Sequence, residues 1–316
     1  MSSPYSQIQC GVPQGSILGP VLFLVYINDI ANSTKAFQFR LFADDTNLFK
    51  YLKSNSVDLM QIGSEFQKVC DWCKANKLTI NIDKTNYMII KTPHKHVTMA
   101  GNLNIDGHQL DCVSSTTYLG VTLDHNINWK LHIQKIVKTI APKAGIIAQL
   151  RHYVPKHILL LLYNSLILPH ISYCIEIWGN TFTTFLEPLL ILQKKITRLI
   201  TFSDFHAHTE PLFKQLGILD VHKLCKFHTC LFVFDLLNNH FAQDKDRYLL
   251  TIPHDYPTRF SVQDNFYIPK ISLSQSKHHI KYAATNHWNS LPSHIKSINQ
   301  RHKFKKELIM SSYVLI

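Results

Sequence analysis

Residues 39–52 read FRLFADDTNLFKYL and place two carboxylates, Asp44 and Asp45, side by side between two apolar runs. The runs at 37–43 and 46–52 alternate and are rich in Phe, Leu and Tyr, which is typical of short strands. An Asp-Asp pair suits the turn between them, because Asp tolerates tight turns and hydrogen-bonds the local backbone. The pattern predicts a hairpin near residues 38–50 with both carboxylates at its tip.

The adjacent charges have two interpretations. Two like charges about 4 Å apart repel by about 4 kcal/mol at an effective dielectric near 20. Structural turns are the commoner setting for such a pair. Alternatively, the tip presents both carboxylates to paired divalent cations, which take anionic oxygen ligands and clamp a phosphoryl transfer. The dipeptide by itself leaves both interpretations open.

The chain is strongly basic, with 33 Lys and Arg against 21 Asp and Glu and a net charge of +12. A polyanionic partner and a merely soluble basic protein are both compatible with this charge. The excess of basic residues recurs in RHYVPKH, LQKKITR and NQRHKFKKE, which lie far apart in the chain. This spacing favours a long track for a nucleic-acid backbone, although a solvated helix face is the alternative. The track would use Arg151, Lys156, Lys194, Lys195 and Arg198.

The seven cysteines are odd in number and irregular in spacing, which argues against a secreted disulfide framework. We expect reduced thiols and a nuclear or cytoplasmic protein that is not secreted. Cys70 and Cys73 form a lone CxxC inside a helical pattern. Cys225, His228 and Cys230 also lie in an apolar helical pattern, so core thiols are favoured over a zinc site.

The most apolar stretch, ILLLLYNSLILPHISYCIEIW at residues 158–178, is interrupted by Asn164, Pro169, His170 and Glu176. These polar and helix-breaking residues fall within the length of one membrane span. The stretch therefore predicts buried helix and no membrane partner.

The periodicity of the chain changes near residue 125. Before it, helices predicted near 17–31 and 56–76 alternate with strands and an Asp106-Gly107 turn, which indicates an α+β fold. After it, amphipathic helices are predicted at about 155–168, 185–202 and 220–239, and Pro142 is expected to bend the helix before them. Residues 238–265 read as a long connection. We expect three parts, at 1–125, 126–240 and 241–316.

Four motifs occur in a characteristic order: GVPQGSILGPVLFLVYINDI at 11–30, FADD at 42–45, WCKANKLTINIDKTNYMII at 72–90 and YLGVTLD at 118–124. This order resembles the reverse transcriptases of non-LTR (LINE-type) retrotransposons, in particular the jockey-like group. The resemblance continues through LYNSLILPHISYCIEIWG at 162–179 and LLILQKKITRLI at 189–200. It implies a partial polymerase palm of antiparallel strands and packed helices, followed by a mostly helical thumb and C-terminal region.

The resemblance implies an RNA-directed DNA polymerase that uses two Mg²⁺ ions, an RNA template, a DNA primer and deoxynucleotides. Asp44 and Asp45 match the catalytic hairpin, where the first would ligate the metals and the second support them. Phe42 takes the position of an aromatic residue in that motif. Lys84 matches a lysine that protonates the leaving pyrophosphate, and a solvated lysine in a turn is the alternative.

The resemblance also implies two loops that contact substrate. Pro13, Gln14 and Gly15 match a loop whose backbone approaches the incoming nucleotide and the template, which a Cβ at the glycine could obstruct. A second loop, at Tyr118, Leu119 and Gly120, matches the hairpin that grips the primer end. Packing of a strand is the competing interpretation of this second loop.

One departure from the family concerns the metal ligands. Such enzymes complete their metal site with another Asp, tens of residues upstream of the PQGS loop, and no Asp or Glu precedes Asp29 here. Two-metal catalysis needs enough anionic ligands to hold both ions in alignment. We expect a polymerase by descent that is active only as part of a longer product. The alternative is a catalytically dead remnant that only binds nucleic acid.

Overall fold

The computed structural model describes residues 12, 15–52, 56–92, 95–241, 245–250, 265–268, 270 and 274–311. The chain divides into two compact units, Met1–Thr116 and Thr117–Ile316. The first unit mixes helices with short strands, and the second is mostly helical. The predicted mixture of helices and strands, an α+β fold class, is thereby confirmed.

The first unit contains two α-helices, two 3₁₀ helices and four pairs of short strands among its described residues. In chain order these are α1 (Gly19–Ile27), 3₁₀ (Asn28–Asn32), β1 (Gln38–Phe42), β2 (Asp45–Phe49), β3 (Ser56–Asp58), α2 (Leu59–Ala75), 3₁₀ (Ile82–Lys84), β4 (Asn86–Tyr87), β5 (Thr98–Ala100), β6 (Asn104–Ile105), β7 (His108–Gln109) and β8 (Asp111–Cys112). The pairs β1–β2 and β6–β7 are antiparallel, whereas β3–β5 and β4–β8 are parallel.

Helix α2 organises the core of this unit. Asp58 caps the helix, since its carboxylate accepts hydrogen bonds from the backbone nitrogens of Met60 (3.0 Å) and Gln61 (3.2 Å). Cys73 packs with the apolar residues of α1 and of the β1–β2 hairpin, and Cys70 packs with Leu103, Ile105 and Leu110. Burial raises the pKa of the Cys70 thiol to about 11. Both cysteines are therefore core residues, as the helical pattern indicated.

The second unit consists largely of helices. The strand β9 (Ser115–Tyr118) contains the boundary between the units and pairs with β10 (Val121–Asp124). The helices are α3 (Lys130–Leu150), α4 (Lys156–Leu166), α5 (Leu168–Ser172), α6 (Ile175–Trp178), α7 (Thr183–Thr201), α8 (Thr209–Leu216), α9 (Val221–Leu237), α10 (Ile280–Asn289), α11 (Ser293–Lys296) and α12 (Arg301–Met310). Short 3₁₀ helices occur at Lys245–Arg247 and Ser274–His278. The helices predicted for 155–168, 185–202 and 220–239 are confirmed.

The apolar stretch 158–178 forms three helices rather than one. Pro169 lies in the first turn of α5, and Cys174, with a φ of 52°, separates α5 from α6. No helix among the described residues is long and apolar enough to cross a membrane. Helix α3, in contrast, continues through Pro142 as one element.

Helix α9 contributes to two hydrophobic cores. Its first half, with Leu224 and Cys225, packs with residues of α3, α4, α6 and α7. Its second half packs with α10, α11 and α12, where the ring of Phe304 stacks on Phe234 at 4.5 Å and on Trp288 at 6.0 Å. The C-terminal helices are thereby part of the same compact unit as α9.

Gly179 permits the contact between the end of α6 and α9. A Cβ added at this glycine would lie 2.8 Å from the Sγ of Cys225 and 2.6 Å from the carbonyl oxygen of Ile175. Cys225 is itself buried, so its sulfur has little room to move. A side chain at residue 179 would force the two helices apart.

We expect Gly179→Ala to lower the free energy of unfolding by about 1–3 kcal/mol, the usual cost of overpacking a core. Gly145→Ala is a matched control, because a Cβ there meets nothing within 4 Å and the residue lies in the interior of α3. The control should be neutral or stabilising by up to about 1 kcal/mol. Urea denaturation of both variants measures the difference, and equal stabilities would contradict the close-approach argument.

Candidate active site and nucleic-acid interface

The predicted aspartate hairpin is present. Strands β1 and β2 pair in an antiparallel register in which Phe42 faces Asp45, so that Ala43 and Asp44 form a two-residue turn. Asp44 and Asp45 are both exposed. The hairpin therefore presents one carboxylate in its turn and the other at the first residue of β2.

The turn is built with an unusual residue. Ala43 has a φ of 49°, in the region that favours glycine, as the first central residue of a type II′ turn does. A non-glycine residue held there costs about 1–3 kcal/mol and persists only when the surrounding structure determines it. Such strain is commonest at functional sites, which is consistent with a tip shaped to position its carboxylates.

The donor set of this hairpin fits Mg²⁺ in type but not in number. Carboxylate oxygens are the ligands that Mg²⁺ takes in proteins, and a two-metal site needs several of them. Among the described residues, no group of three or more His, Cys, Asp or Glu side chains could hold a metal ion. Asp44 and Asp45 are thus two carboxylates without a third protein ligand in the described part of the chain.

The loop preceding α1 is described only in part, and Pro13 and Gln14 lie outside the described residues. Gly15 has a φ of 87°, and an added Cβ would meet nothing within 4 Å. The Oγ of Ser16 accepts a hydrogen bond from the backbone nitrogen of Gly19, the first residue of α1, at 3.2 Å. Gly15 is therefore an open, exposed backbone position four residues before the first residue of α1.

Lys84 ends the 3₁₀ turn at Ile82–Lys84. The side-chain oxygen of Asn81 accepts a hydrogen bond from the backbone nitrogen of Lys84 at 3.2 Å, which fixes the backbone of the turn. The Lys84 side chain is exposed. Its position suits both a mobile general acid and a solvated lysine.

The loop at Tyr118, Leu119 and Gly120, which is predicted to contact the primer, is a tight hairpin in the second unit. Leu119 and Gly120 both have positive φ, 45° and 80°, which defines a type I′ turn between β9 and β10. The hydroxyl of Tyr173, which follows α5, donates a hydrogen bond to the Leu119 carbonyl oxygen at 2.8 Å. A Cβ added at Gly120 would lie 3.4 Å from the Tyr173 ring. Tyr173 thus anchors the hairpin, a role that sequence reasoning missed because no local pattern links residues so far apart.

His132, near the start of α3, also holds the β9–β10 hairpin in place. Its Nδ1 accepts a hydrogen bond from the backbone nitrogen of Thr122 at 3.2 Å, and its ring lies edge-on to Trp178 at 5.4 Å. Burial, and to a lesser extent the charge of Lys135, lowers the pKa of His132 to about 4. The imidazole is therefore neutral at physiological pH and holds β10 as a hydrogen-bond acceptor.

Asp124 links the hairpin to α3. Its buried carboxylate accepts hydrogen bonds from the backbone nitrogens of Asn126 (3.0 Å), Asn128 (3.3 Å) and Trp129 (3.2 Å). These bonds satisfy a carboxylate that burial would otherwise destabilise. They also hold Trp129 at a φ of 67°, directly before the first turn of α3.

Three of the five predicted backbone-binding residues, Lys194, Lys195 and Arg198, lie on α7. Helical spacing places them on the face opposite the buried residues Gln193, Ile196, Thr197 and Ile200. Lys195 is exposed, and Lys194 and Arg198 are partly exposed. The face is basic and accessible, as the proposed track requires.

The other two residues occupy different positions. Arg151 caps the end of α3, and its guanidinium lies over the ring of Phe202 at 5.3 Å. Lys156 begins α4 and is partly exposed. Arg151 therefore reaches the end of α7, whereas no described contact brings Lys156 to it.

Comparison with known proteins shows what the first part of the chain is similar to. Residues 4–123 match the model of the reverse transcriptase (RNA-dependent DNA polymerase) family. The match contains the aspartate hairpin, Lys84 and the Tyr118–Gly120 loop. No solved structure matches the chain.

The relatives define the group more narrowly. The chain is 25% identical over 232 residues to the RNA-directed DNA polymerase from mobile element jockey of Drosophila melanogaster, covering 68% of this chain and 24% of that protein. It is 23% identical over 257 residues to the probable RNA-directed DNA polymerase from transposon X-element, covering 76% and 26%. It is 25% identical over 248 residues to the corresponding protein from transposon BS, covering 74% and 27%. The last two also come from Drosophila melanogaster.

The predicted resemblance to the polymerases of jockey-like non-LTR retrotransposons is thereby confirmed. Each match is much longer than the reverse transcriptase domain and so includes part of the helical unit. The chain spans about a quarter of the length of these curated relatives.

The buried His132 makes stability depend on pH. The folded pKa of about 4 lies below the ordinary value of 6.5, so the unfolded chain binds the proton first as the pH falls. Stability is fully present above 6.5 and is lost as the pH falls toward 4. We expect the free energy of unfolding to decrease by about 1–2 kcal/mol between pH 7.5 and pH 5 through this residue alone.

His132→Asn tests this expectation, because an amide oxygen can replace Nδ1 as acceptor for Thr122 without titrating. The variant should show a correspondingly weaker pH dependence in chemical denaturation. His157→Asn, at an exposed residue of α4, is the matched control and should keep the wild-type dependence. Identical pH profiles for the wild type and His132→Asn would exclude a role of this histidine.

Proposed function

We propose that the chain supplies the palm and thumb portions of an RNA-directed DNA polymerase of a jockey-like non-LTR retrotransposon. Residues 1–125 would be the partial palm, 126–240 the thumb and 241–316 a C-terminal extension. The observation that carries the proposal is the exposed Asp44–Asp45 pair at the tip of the β1–β2 hairpin, within residues that match the reverse transcriptase family. RNA template, DNA primer and deoxynucleotides would be its partners, in the nucleus or cytoplasm.

Each site residue has a defined task in this proposal. Asp44 would ligate two Mg²⁺ ions with the support of Asp45, and the bound ions supply charge stabilisation for nucleotidyl transfer. Phe42, which is 60% exposed, would flank the carboxylates. Lys84 would donate a proton to the leaving pyrophosphate, which its exposed and flexible side chain permits.

The two loops would hold the nucleic acid. Gly15, with Pro13 and Gln14 before it, would let the template and the incoming nucleotide approach the backbone, because no Cβ fills the space at the glycine. The Tyr118–Gly120 hairpin would hold the primer end. Its attachment to Tyr173 supports this role, because a rigid loop positions a primer more accurately than a mobile one.

We expect the 316-residue chain by itself to show no more than background activity on a primed RNA template with Mg²⁺ and four deoxynucleotides. Two carboxylates are too few to hold both ions in alignment. The measurement is gel-based primer extension, with Asp44→Asn as the reference for background. Robust extension by the wild-type chain that disappears in Asp44→Asn would show that the site is complete.

Nucleic-acid binding without catalysis is the second candidate function, and the basic outer face of α7 favours it. Neither Lys194 nor Lys195 has a carboxylate within ion-pair distance among the described residues. Positive charges without such partners are available to phosphates, and each neutralised phosphate contributes about 0.7–0.9 to the salt slope of log K. Because phosphate contacts carry no sequence information, little base preference is expected.

We expect Lys194→Ala with Lys195→Ala to flatten the salt slope for an RNA–DNA duplex by about one to two units. Lys68→Ala with Lys74→Ala removes the same net charge, but these lysines already pair with Glu65 (2.7 Å) and Asp106 (2.5 Å). This control should leave the slope unchanged. Fluorescence anisotropy at several salt concentrations gives both slopes. An unaltered slope in the α7 variant would show that Lys194 and Lys195 contact solvent and not phosphates.

A further inference from the structure

Two exposed phenylalanines lie at the C-terminal end of α7, and the guanidinium of an arginine lies over the ring of each. The guanidinium of Arg151 lies over the ring of Phe202 at 5.3 Å, and that of Arg198 lies over the ring of Phe205 at 5.9 Å. We call these four residues the arginine–phenylalanine cluster. It joins the end of α3 with the segment that follows α7.

The rings are far more exposed than a folding role requires. Phe205 is 72% exposed and Phe202 is 49% exposed, so neither is covered by the hydrophobic core. Tyr153, two residues after Arg151, is 84% exposed. Large apolar side chains grouped in this way on a surface mark a binding site more often than single exposed ones do.

A hydrogen bond orients Arg198, and neither arginine of the cluster is neutralised by a carboxylate of the described residues. The Nε of Arg198 donates a hydrogen bond to the Ala207 carbonyl oxygen at 3.0 Å, which orients its guanidinium beside Phe205. The Nε of Arg151 is buried without a hydrogen-bond partner in the described part of the chain. No carboxylate of the described residues lies within ion-pair distance of either guanidinium. The cluster therefore keeps its positive charge for a ligand.

The chemistry of the cluster selects the ligand. We propose that the arginine–phenylalanine cluster is a stacking site for unpaired nucleobases of a single-stranded nucleic acid. Exposed aromatic rings stack on bases of any sequence, and guanidinium groups bind the phosphates between them. Bases within a duplex are already stacked on one another and cannot use the rings. The inference rests on the proposed nucleic-acid binding and adds a preference for unpaired strands.

The surroundings favour nucleic acid over a protein partner. Lys194 and Lys195 extend the basic face of α7 up to the cluster, one to two turns away. Asp204, which lies between the two rings in sequence, uses its carboxylate to accept a hydrogen bond from the backbone nitrogen of His206 at 2.8 Å. This exposed carboxylate keeps its charge, but the arginines of the cluster and the two lysines outnumber it, so the charge near the rings is net positive, as binding of a phosphate backbone requires.

The test compares ligands that share phosphates but differ in bases. The wild-type 316-residue chain is titrated with fluorescein-labelled oligothymidine of about 12 nucleotides, an abasic strand of the same length and a duplex of the same length. We expect oligothymidine to bind about tenfold more tightly than the abasic strand, which corresponds to about 1.4 kcal/mol. Equal affinity for these two strands overturns the inference.

Variants then assign the preference to the rings. Phe202→Ala with Phe205→Ala should lose the preference for oligothymidine and keep the affinity for the abasic strand. Phe205→Tyr, in a chain that keeps Phe202, preserves the aromatic face and should retain the preference, whereas Phe205→Leu preserves only apolar character and should weaken it. Leu161→Ala, at a residue of α4 that is 61% exposed, is the control for loss of an exposed apolar side chain and should behave as the wild type.

The outcomes separate this inference from the proposed function. If the wild type binds all three ligands with the same steep salt dependence and the double phenylalanine variant is unchanged, the phosphate track stands and the stacking site is refuted. If the wild type binds none of them, both are refuted. If the double variant differs only in sedimentation of the free chain, the cluster is a self-association surface, and the stacking site is again refuted.

Discussion

The fold of the second unit depends on the burial of α9. This helix is apolar around most of its circumference, and 11 of its 17 residues are buried. A helix of this kind is stable only when other elements cover every side. Helices α3 to α8 cover its first half and α10 to α12 its second half, so two hydrophobic cores share one helix. The close approach at Gly179 is the geometric condition for one of these contacts.

Buried polar groups determine how the helices align around that core. The side-chain amide of Gln193 donates to the Tyr163 hydroxyl (2.8 Å) and the Leu219 carbonyl (2.9 Å), and its oxygen accepts from the backbone nitrogen of Val221 (2.9 Å). Asp235 is buried, which raises the pKa of its carboxyl, but hydrogen bonds from Arg301 and His240 outweigh that effect and lower the pKa overall. Because an unpaired buried polar group costs about 1–3 kcal/mol, these partners specify one arrangement of α7, α9 and α12.

The two hairpins with a proposed functional role share a feature of backbone conformation. Each has a two-residue turn that begins with a non-glycine residue at positive φ, Ala43 in one and Leu119 in the other. Glycine or asparagine would form these turns with less strain. The cost is offset elsewhere, by strand pairing in the first hairpin and by the hydrogen bond from Tyr173 in the second. Strain retained in this way is consistent with loops that position ligands or substrate.

Local pattern alone determined the aspartate hairpin, the Asp106-Gly107 turn and the helices now seen as α2, α4, α7 and α9, because each depends on residues within a few positions of one another. Sequence also determined the resemblance to reverse transcriptases of non-LTR retrotransposons, since the motif order is a property of the chain itself. Only the tertiary structure showed that Arg151 meets Phe202, that Tyr173 anchors Leu119 and that His132 is buried and neutral. The first two contacts join residues 51 and 54 positions apart, and the state of His132 depends on its burial. Neither periodicity nor spacing encodes which distant side chains the packing of a core brings together.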